Sequence, residues 1–140
     1  MQTMQQQRAK FALLRVQEYL QNLEVEFNNA NSEPERQKCR AKIKKVKDEF
    51  KSHASALPAM IHINGLGQAA AFYKSKSDTH KLIYKLLSDW LTKPNQPYAG
   101  QNDLIQAIVD CDMHDYRLAQ AEAQALMDWV KKFAKAYMED

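Results

Sequence analysis

A chain of 140 residues with 45% apolar and 26% charged side chains has the composition of a folded domain, which argues against intrinsic disorder. The net charge of +3 and the pI of about 8.8 are too small for a free-standing protein that binds nucleic acid tightly, but they suit a subunit that adds a few contacts to a larger assembly. We expect a single domain over residues 1–140.

The sequence also indicates a compartment. The first ten residues lack the apolar core of a signal peptide. The uncharged run Ser52–Tyr73 is long enough to span a membrane, but it contains polar residues such as Asn64 and Gln68, which are costly in bilayer hydrocarbon. Cys39 and Cys111 belong to no paired-cysteine motif, as expected of reduced thiols. We therefore expect a cytoplasmic protein that does not enter a membrane.

The N-terminal third predicts a long helical hairpin. Apolar residues recur at alternating spacings of four and three in two series: Ala9, Leu13, Val16, Leu20, Leu23 and Phe27, then Cys39, Ile43, Val46 and Phe50. Residues 28–32 between the series favour a turn. Ser32 and Glu35 have the spacing of a capping box, and Pro34 falls in the first turn, where its missing N–H is harmless.

Two of the three glycines, Gly65 and Gly67, lie inside the uncharged run. Glycine weakens a helix by about 1 kcal/mol relative to alanine, so this pair indicates a break or a close approach of a neighbouring backbone. A buried corner between two helices is the simpler interpretation.

The remaining elements are also helical. A wide apolar face predicts a core helix over Asp78–Leu91, and Thr92–Gln101, with two prolines and a glycine, predicts an exposed loop. A short helix should begin near Asn102 or Asp103. A long C-terminal helix is indicated by one apolar series: Ala119, Ala123, Leu126, Val130, Phe133 and Tyr137. The predicted fold is all-α, a compact single-domain bundle of about six or seven helices.

Charge is concentrated in the second helix of the hairpin. Residues 1–56 carry 11 Lys/Arg and 7 Asp/Glu, and Arg36–Lys51 holds eight cations with only Asp48 and Glu49 as acids. Like charges four residues apart repel on a helix. The run of cations is explained either as an ordinary solvent-exposed helix face, which needs no function, or as a surface that contacts the phosphates of a nucleic acid. On the charge bias alone, we take Lys38, Lys42 and Lys45 as secondary candidates for binding nucleic acid.

Residues with catalytic chemistry are few. Cys111 and His114 form one pair of possible zinc ligands, and no second pair completes a site. Asp112 is explained as a helix cap. A small metal-dependent phosphodiesterase using Asp112, His114 and Asp115 remains open as an alternative. We expect no catalytic residue, metal, cofactor or small-molecule substrate.

Several motifs carry a family resemblance. Residues 6–12 (QQRAKFA) are similar to a Q-x-R-A-x-x-A element, and residues 57–76 hold the central block LPAMI, NGLGQ and AF followed by two lysines. Trp90 and Leu91 follow, then YR-x-A-x-x-EA at residues 116–123 and WVKKFA at residues 129–134. Together they resemble the small α-helical subunit of the type III-B CRISPR RNA-guided effector, the Cmr complex.

The resemblance implies a non-enzymatic structural subunit in antiviral defence. Copies would stack head-to-tail into a filament beside the backbone subunit and the other Cmr subunits, and the duplex of CRISPR RNA and target RNA would lie between them. Base pairing would read the sequence, while this chain would contact backbone charge and shape. A stand-alone helical nucleic-acid-binding regulator, which would form a closed dimer with sequence preference, is the other alternative.

The motifs also suggest which cations face RNA. Six lie in or beside them, and we expect each to contact a phosphate: Arg8, Lys74, Lys76, Arg117, Lys131 and Lys132.

Overall fold

The computed structural model describes residues 1–139, and within that range it contains six α-helices and no β-strand. In chain order the helices are α1 (Met4–Asn28), α2 (Glu33–Asn64), α3 (Leu66–Ser75), α4 (Asp78–Leu91), α5 (Leu104–Asp110) and α6 (Met113–Tyr137). The all-α prediction is confirmed, including the hairpin of two long helices and the long C-terminal helix.

The four longest helices begin at side-chain caps that lie next to them in sequence. The Ser32 hydroxyl accepts the Glu35 N–H at 3.3 Å, and the Asp112 carboxylate accepts the Asp115 N–H at 3.0 Å, as predicted. Thr3 and Ser77 cap α1 and α4 in the same way. The carboxylate of Glu35 accepts the N–H of Asn31 rather than that of Ser32, so only half of the predicted capping box forms.

The hairpin is buried only at its base. There the rings of Tyr19 and Phe50 meet edge to face, with centroids 5.5 Å apart. No side chain between Leu20 and Glu49 is buried. The predicted apolar faces of both helices are therefore only half covered in this outer part, because two helices alone cannot enclose a core.

Helix α4 supplies the largest share of the core, and eight of its fourteen residues are buried. The loop at residues 92–101 was predicted to be exposed, which is wrong for two of its residues. Tyr98 is 1% exposed and Gln96 is 9% exposed. The loop folds back on the end of α4, where the N–H of Tyr98 donates to the carbonyl of Leu91 at 3.0 Å, and this directs the Tyr98 ring inward.

Glu122 ties α1, α4 and α6 together. It receives two hydrogen bonds from the Arg8 guanidinium, at 2.6 and 2.9 Å, and one from the indole N–H of Trp90 at 3.0 Å. The Arg8 and Glu122 side chains are only 17% and 11% exposed. Hydrogen bonding to Glu122 outweighs the effect of burial and raises the pKa of Arg8.

Gly65 forms the corner between α2 and α3. Its φ of +86° lies in the left-handed region, where glycine is strongly favoured. A Cβ at Gly65 would lie 3.0 Å from the hydroxyl of Tyr116 in α6. A Cβ at Gly67 would have ordinary contacts, the closest being 3.6 Å. The predicted corner is confirmed, and the group that approaches it is the Tyr116 side chain rather than a backbone.

The two short helices are not capped by their own N-cap residues: Gly65 before α3 has no side chain, and Asp103 before α5 makes no side-chain cap hydrogen bond. Side chains of neighbouring helices supply the caps instead. In α3, the N–H of Leu66 donates to Gln120 and the N–H of Gly67 donates to Tyr116, at 3.0 and 2.9 Å. In α5, the N–H groups of Leu104 and Ile105 donate to side-chain hydroxyls of α4. The bundle thus satisfies donors that these helices leave free.

We predict that Gly65→Ala and Gly67→Ala differ in stability. Gly65→Ala should lower the free energy of unfolding by about 1–3 kcal/mol, because it combines a positive φ with the crowding against Tyr116. Gly67→Ala should leave the free energy of unfolding unchanged or raise it by up to about 1 kcal/mol, because it adds helix propensity without a clash. Urea denaturation followed by circular dichroism measures both. Equal losses would contradict this account of the corner.

We also predict that Arg8→Ala costs about 1–3 kcal/mol of unfolding free energy, since it leaves a nearly buried carboxylate with one donor fewer. Arg117→Ala is the matched control. Its guanidinium is exposed and has no partner among residues 1–139, so the loss should stay below about 0.5 kcal/mol. Thermal denaturation of the two variants compares them directly, and a smaller loss for Arg8→Ala would refute the anchoring role of Glu122.

Candidate nucleic-acid interface

The six cations in the family-like motifs do not form one patch of equivalent side chains. Arg8 lies on α1 and is held by Glu122. Lys74 and Lys76 lie at the end of α3, and the other three project from α6. The three groups differ in how far the fold already uses their charge.

Arg8 serves the fold in this structure. Its guanidinium also donates to the side-chain carbonyl of Gln5 at 3.2 Å, so three of its five donors have partners. Sequence reasoning missed this role because Glu122 is 114 residues away in the chain. A phosphate contact by Arg8 stays a prediction, and it would require the guanidinium to share its N–H donors between the phosphate and its present partners, Glu122 and Gln5.

Lys74 has two partners and is still 53% exposed. Its ammonium lies 3.2 Å from a carboxylate oxygen of Asp103 and 5.2 Å from the centre of the Tyr84 ring. Burial disfavours the charged form of Asp103, but hydrogen bonds from Tyr84 and Lys74 outweigh it and lower the pKa of Asp103. Lys76, just past the last residue of α3, is exposed, and its ammonium lies 4.9 Å from the centre of the Phe72 ring.

The outward face of α6 is the least neutralised. Arg117 and Lys132 are exposed, and neither has a hydrogen bond or ion pair within residues 1–139. Lys131 is 37% exposed and pairs with Asp128 at 3.5 Å, three residues earlier on the same helix. Surface pairs of this kind contribute little to stability and exchange readily with other anions.

Lys135 belongs to the same face, although sequence reasoning did not select it. It is exposed and has no partner in the described part of the chain. Arg117 and Lys135 are 18 residues apart, which is about five helical turns, so they project in the same direction about 27 Å apart. We call Arg117, Lys131, Lys132 and Lys135 the α6 outer face. The 18-residue spacing between Arg117 and Lys135 is the feature of the sequence from which Lys135 could have been assigned to this face.

The opposite side of α6 is apolar and buried. Ala119, Ala123, Leu126 and Val130 have no exposed surface, and they fix the rotation of the helix. The outer-face cations therefore cannot turn inward without opening the core.

The secondary candidates on α2 are more neutralised than the sequence indicated. Lys42 makes two hydrogen bonds to Glu26 of α1, at 2.9 and 3.1 Å, and they raise the pKa of Lys42. Lys45 lies 3.9 Å from Glu49, whereas Lys38 is exposed without a partner among residues 1–139. The hairpin brings Glu26 of α1 beside Lys42, which reduces the repulsion expected from sequence.

The residues of the phosphodiesterase alternative are at the start of α6. Asp112 caps the helix, and His114 is exposed. Among residues 1–139, no group of three or more His, Cys, Asp or Glu side chains is arranged to hold a metal ion. Within the same range, no helix is long and apolar enough to cross a membrane.

Comparisons with known proteins agree with one another. The family model for CRISPR-associated protein (Cas_Cmr5) matches residues 4–137. The CRISPR system Cmr subunit Cmr5 of Thermus thermophilus is 29% identical over 93 residues, which cover 66% of this chain and 77% of the relative. The crystal structure of a CRISPR-associated Cmr5 family protein from the same organism superimposes with a TM-score of 0.64 and 26% identity, covering 99% of this chain and all of the other.

The family model spans all six helices, and the structural match extends over nearly the whole chain. Together with the motifs in α1, α3 and α6, these matches confirm the resemblance to the small Cmr subunit. The chain belongs to the Cas_Cmr5 family of CRISPR-associated proteins.

Proposed function

We propose that this chain is a non-catalytic subunit of a type III-B CRISPR effector and that its α6 outer face contacts the phosphates of bound RNA. The observation that carries the proposal is the set of three exposed cations on α6 that have no intramolecular partner within residues 1–139, namely Arg117, Lys132 and Lys135. Family membership and the name of the Thermus relative, a Cmr subunit, support the assembly.

The chemistry of such a face suits a duplex whose sequence is read by base pairing. Lys and Arg side chains that displace counterions from phosphates give affinity without sequence preference. A stripe about 27 Å long on a rigid helix can reach several phosphates at once. The strength of binding then depends on the sum over many copies and subunits, which fits the net charge of only +3.

The proposed partners are the other Cmr subunits, including the backbone subunit, and further copies of this chain arranged head-to-tail. A heterologous contact of this kind extends into a filament rather than closing into a dimer. The CRISPR RNA and target RNA would lie along the filament in the cytoplasm. Lys74, Lys76 and Lys131 are secondary contacts in this arrangement, because each has a weak partner that a phosphate can replace.

We predict that the double variant Arg117→Glu with Lys132→Glu weakens capture of target RNA by the assembled effector, by about tenfold or more at physiological salt. The loss should be the same for RNAs of different sequence, and the slope of log K against log salt should fall by about one for each lost contact. Filter binding at several salt concentrations measures both quantities.

The matched control is Lys10→Glu with Lys81→Glu, which makes the same charge change at two exposed cations on α1 and α4. Circular dichroism should be unchanged in both double variants. Equal losses in the two would show that only net charge matters, and unchanged capture in the first would remove the α6 outer face as the RNA contact.

We also predict that the purified chain leaves labelled RNA intact in the presence of Mg²⁺ or Mn²⁺. Cleavage that disappears in Asp112→Ala but persists in Asp110→Ala would contradict a non-catalytic role. Asp110 is the control because it is a nearby exposed acid outside the α6 cap.

A further inference from the structure

The central block of the sequence contains residues that the fold does not use. Gly65 and Gly67 form the corner, and the N–H groups of Leu66 and Gly67 are capped by α6. In contrast, the side chains of Asn64 and Gln68 are exposed and have no hydrogen-bond partner within residues 1–139. Phe72 is 39% exposed, which leaves a large part of an aromatic ring in water.

These side chains meet in one place. Asn64, Gln68 and Phe72, together with Met60, line a surface pocket at the junction of α2 and α3. We call these four residues the corner pocket. Gln68 and Phe72 are four residues apart on α3 and therefore project from the same side of the helix.

We propose that the corner pocket binds an unpaired nucleobase of RNA, with the base stacked on Phe72 and its edge hydrogen-bonded to Asn64 and Gln68. This proposal rests on the proposed function, because it assumes that RNA runs past the chain. It adds a site for a base, at the junction of α2 and α3, to the phosphate contacts proposed on α6.

The chemistry of the lining matches a base. Exposed aromatic side chains act as stacking platforms for single-stranded nucleic acid, since every base presents a flat π-face. The two carboxamides each supply N–H donors and a carbonyl acceptor, which is the mixed pattern that a base edge presents. Met60 adds a polarisable apolar contact beside the ring.

The charges around the pocket suit a nucleotide. Among residues 1–139, no acidic side chain lines it. Lys76 is exposed, and its ammonium lies 4.9 Å from the centre of the Phe72 ring, so it can move to a phosphate when a base takes its place. An aliphatic side chain in the pocket would gain nothing from Lys76 and would leave both carboxamides unpaired.

The ring is also held in place, which favours binding at small entropic cost. The Phe72 ring packs edge to face with His80, at 5.9 Å between centroids, and lies 6.1 Å from Tyr73. The hydroxyl of Tyr73 donates to the carbonyl of His53 at 2.6 Å and ties α3 to α2. The pocket thus lies on rigid helices rather than on a loop.

Photochemical crosslinking in the assembled effector tests the proposal. The probe is a set of target RNAs, each with one 5-iodouridine, and irradiation joins that base to an aromatic ring stacked on it. We expect a crosslink to Phe72 from a subset of positions, located by mass spectrometry of the peptides. Phe72→Ala should reduce total crosslinking to this segment by about fivefold or more, and Phe72→Tyr should restore it.

The matched control is Tyr137→Ala, which removes another half-exposed aromatic ring, on α6, and should leave the Phe72 crosslink unchanged. Asn64→Ala with Gln68→Ala should lower the crosslink without releasing the subunit. Absence of the Phe72 crosslink, or a yield that Phe72→Ala does not change, would overturn the proposal. Release of the subunit from the effector by Phe72→Ala would also overturn it and indicate a protein in the pocket.

The two proposals fail separately. A missing Phe72 crosslink with RNA capture still dependent on Arg117 and Lys132 would overturn the corner pocket and leave the proposed function standing. Capture that does not depend on those two cations overturns the phosphate contact, whatever the crosslink shows.

Discussion

The architecture depends on one kind of hydrogen bond, in which the backbone N–H groups at the start of one helix donate to side chains of another helix. The first N–H groups of a helix have no partner inside it. In α3 they are accepted by Tyr116 and Gln120, which lie on the inner side of α6. This contact holds the corner at Gly65 against α6, where a Cβ would lie 3.0 Å from the Tyr116 hydroxyl and crowd it. The corner and α6 therefore behave as one unit.

That unit carries both surfaces to which we assign function. The inner side of α6 builds the core, caps α3 and, through Glu122, holds α1 and α4. The outer face is left with cations that the fold does not need. The corner pocket lies at the junction of α2 and α3, on the part of the central block that faces solvent. Because Tyr116 and Gln120 hold the start of α3 against α6, we expect the phosphate contacts on α6 and the base site at the corner to keep a constant spacing.

Features set by neighbouring residues were predictable from the sequence. The bounds of α4 match the predicted Asp78–Leu91, and the caps at Ser32 and Asp112 form as expected, because a cap needs only a side chain a few residues away. The Gly65 corner was also predictable, because glycine alone tolerates its backbone angle.

Features that join distant residues were not predictable. Nothing in the order of the chain places Glu26 beside Lys42, Glu122 beside Arg8, or the Tyr98 ring in the core. The candidate cations could be chosen by motif, but which of them the fold neutralises depends on packing. Lys135 was missed for another reason: it lies outside the family-like motifs, although the predicted apolar side of the helix and its spacing from Arg117 could have identified it.

Amide hydrogen exchange, resolved by residue in the native chain, most directly tests the contact between α6 and the first N–H groups of α3. We expect the N–H groups of Leu66 and Gly67 to exchange slowly, as core helix amides do, although they lie in the first turn of a helix. The N–H of Gln5, a first-turn donor without an acceptor among residues 1–139, provides the fast reference. Exchange of Leu66 and Gly67 at the rate of Gln5 would show that α6 does not hold the corner and would contradict the account.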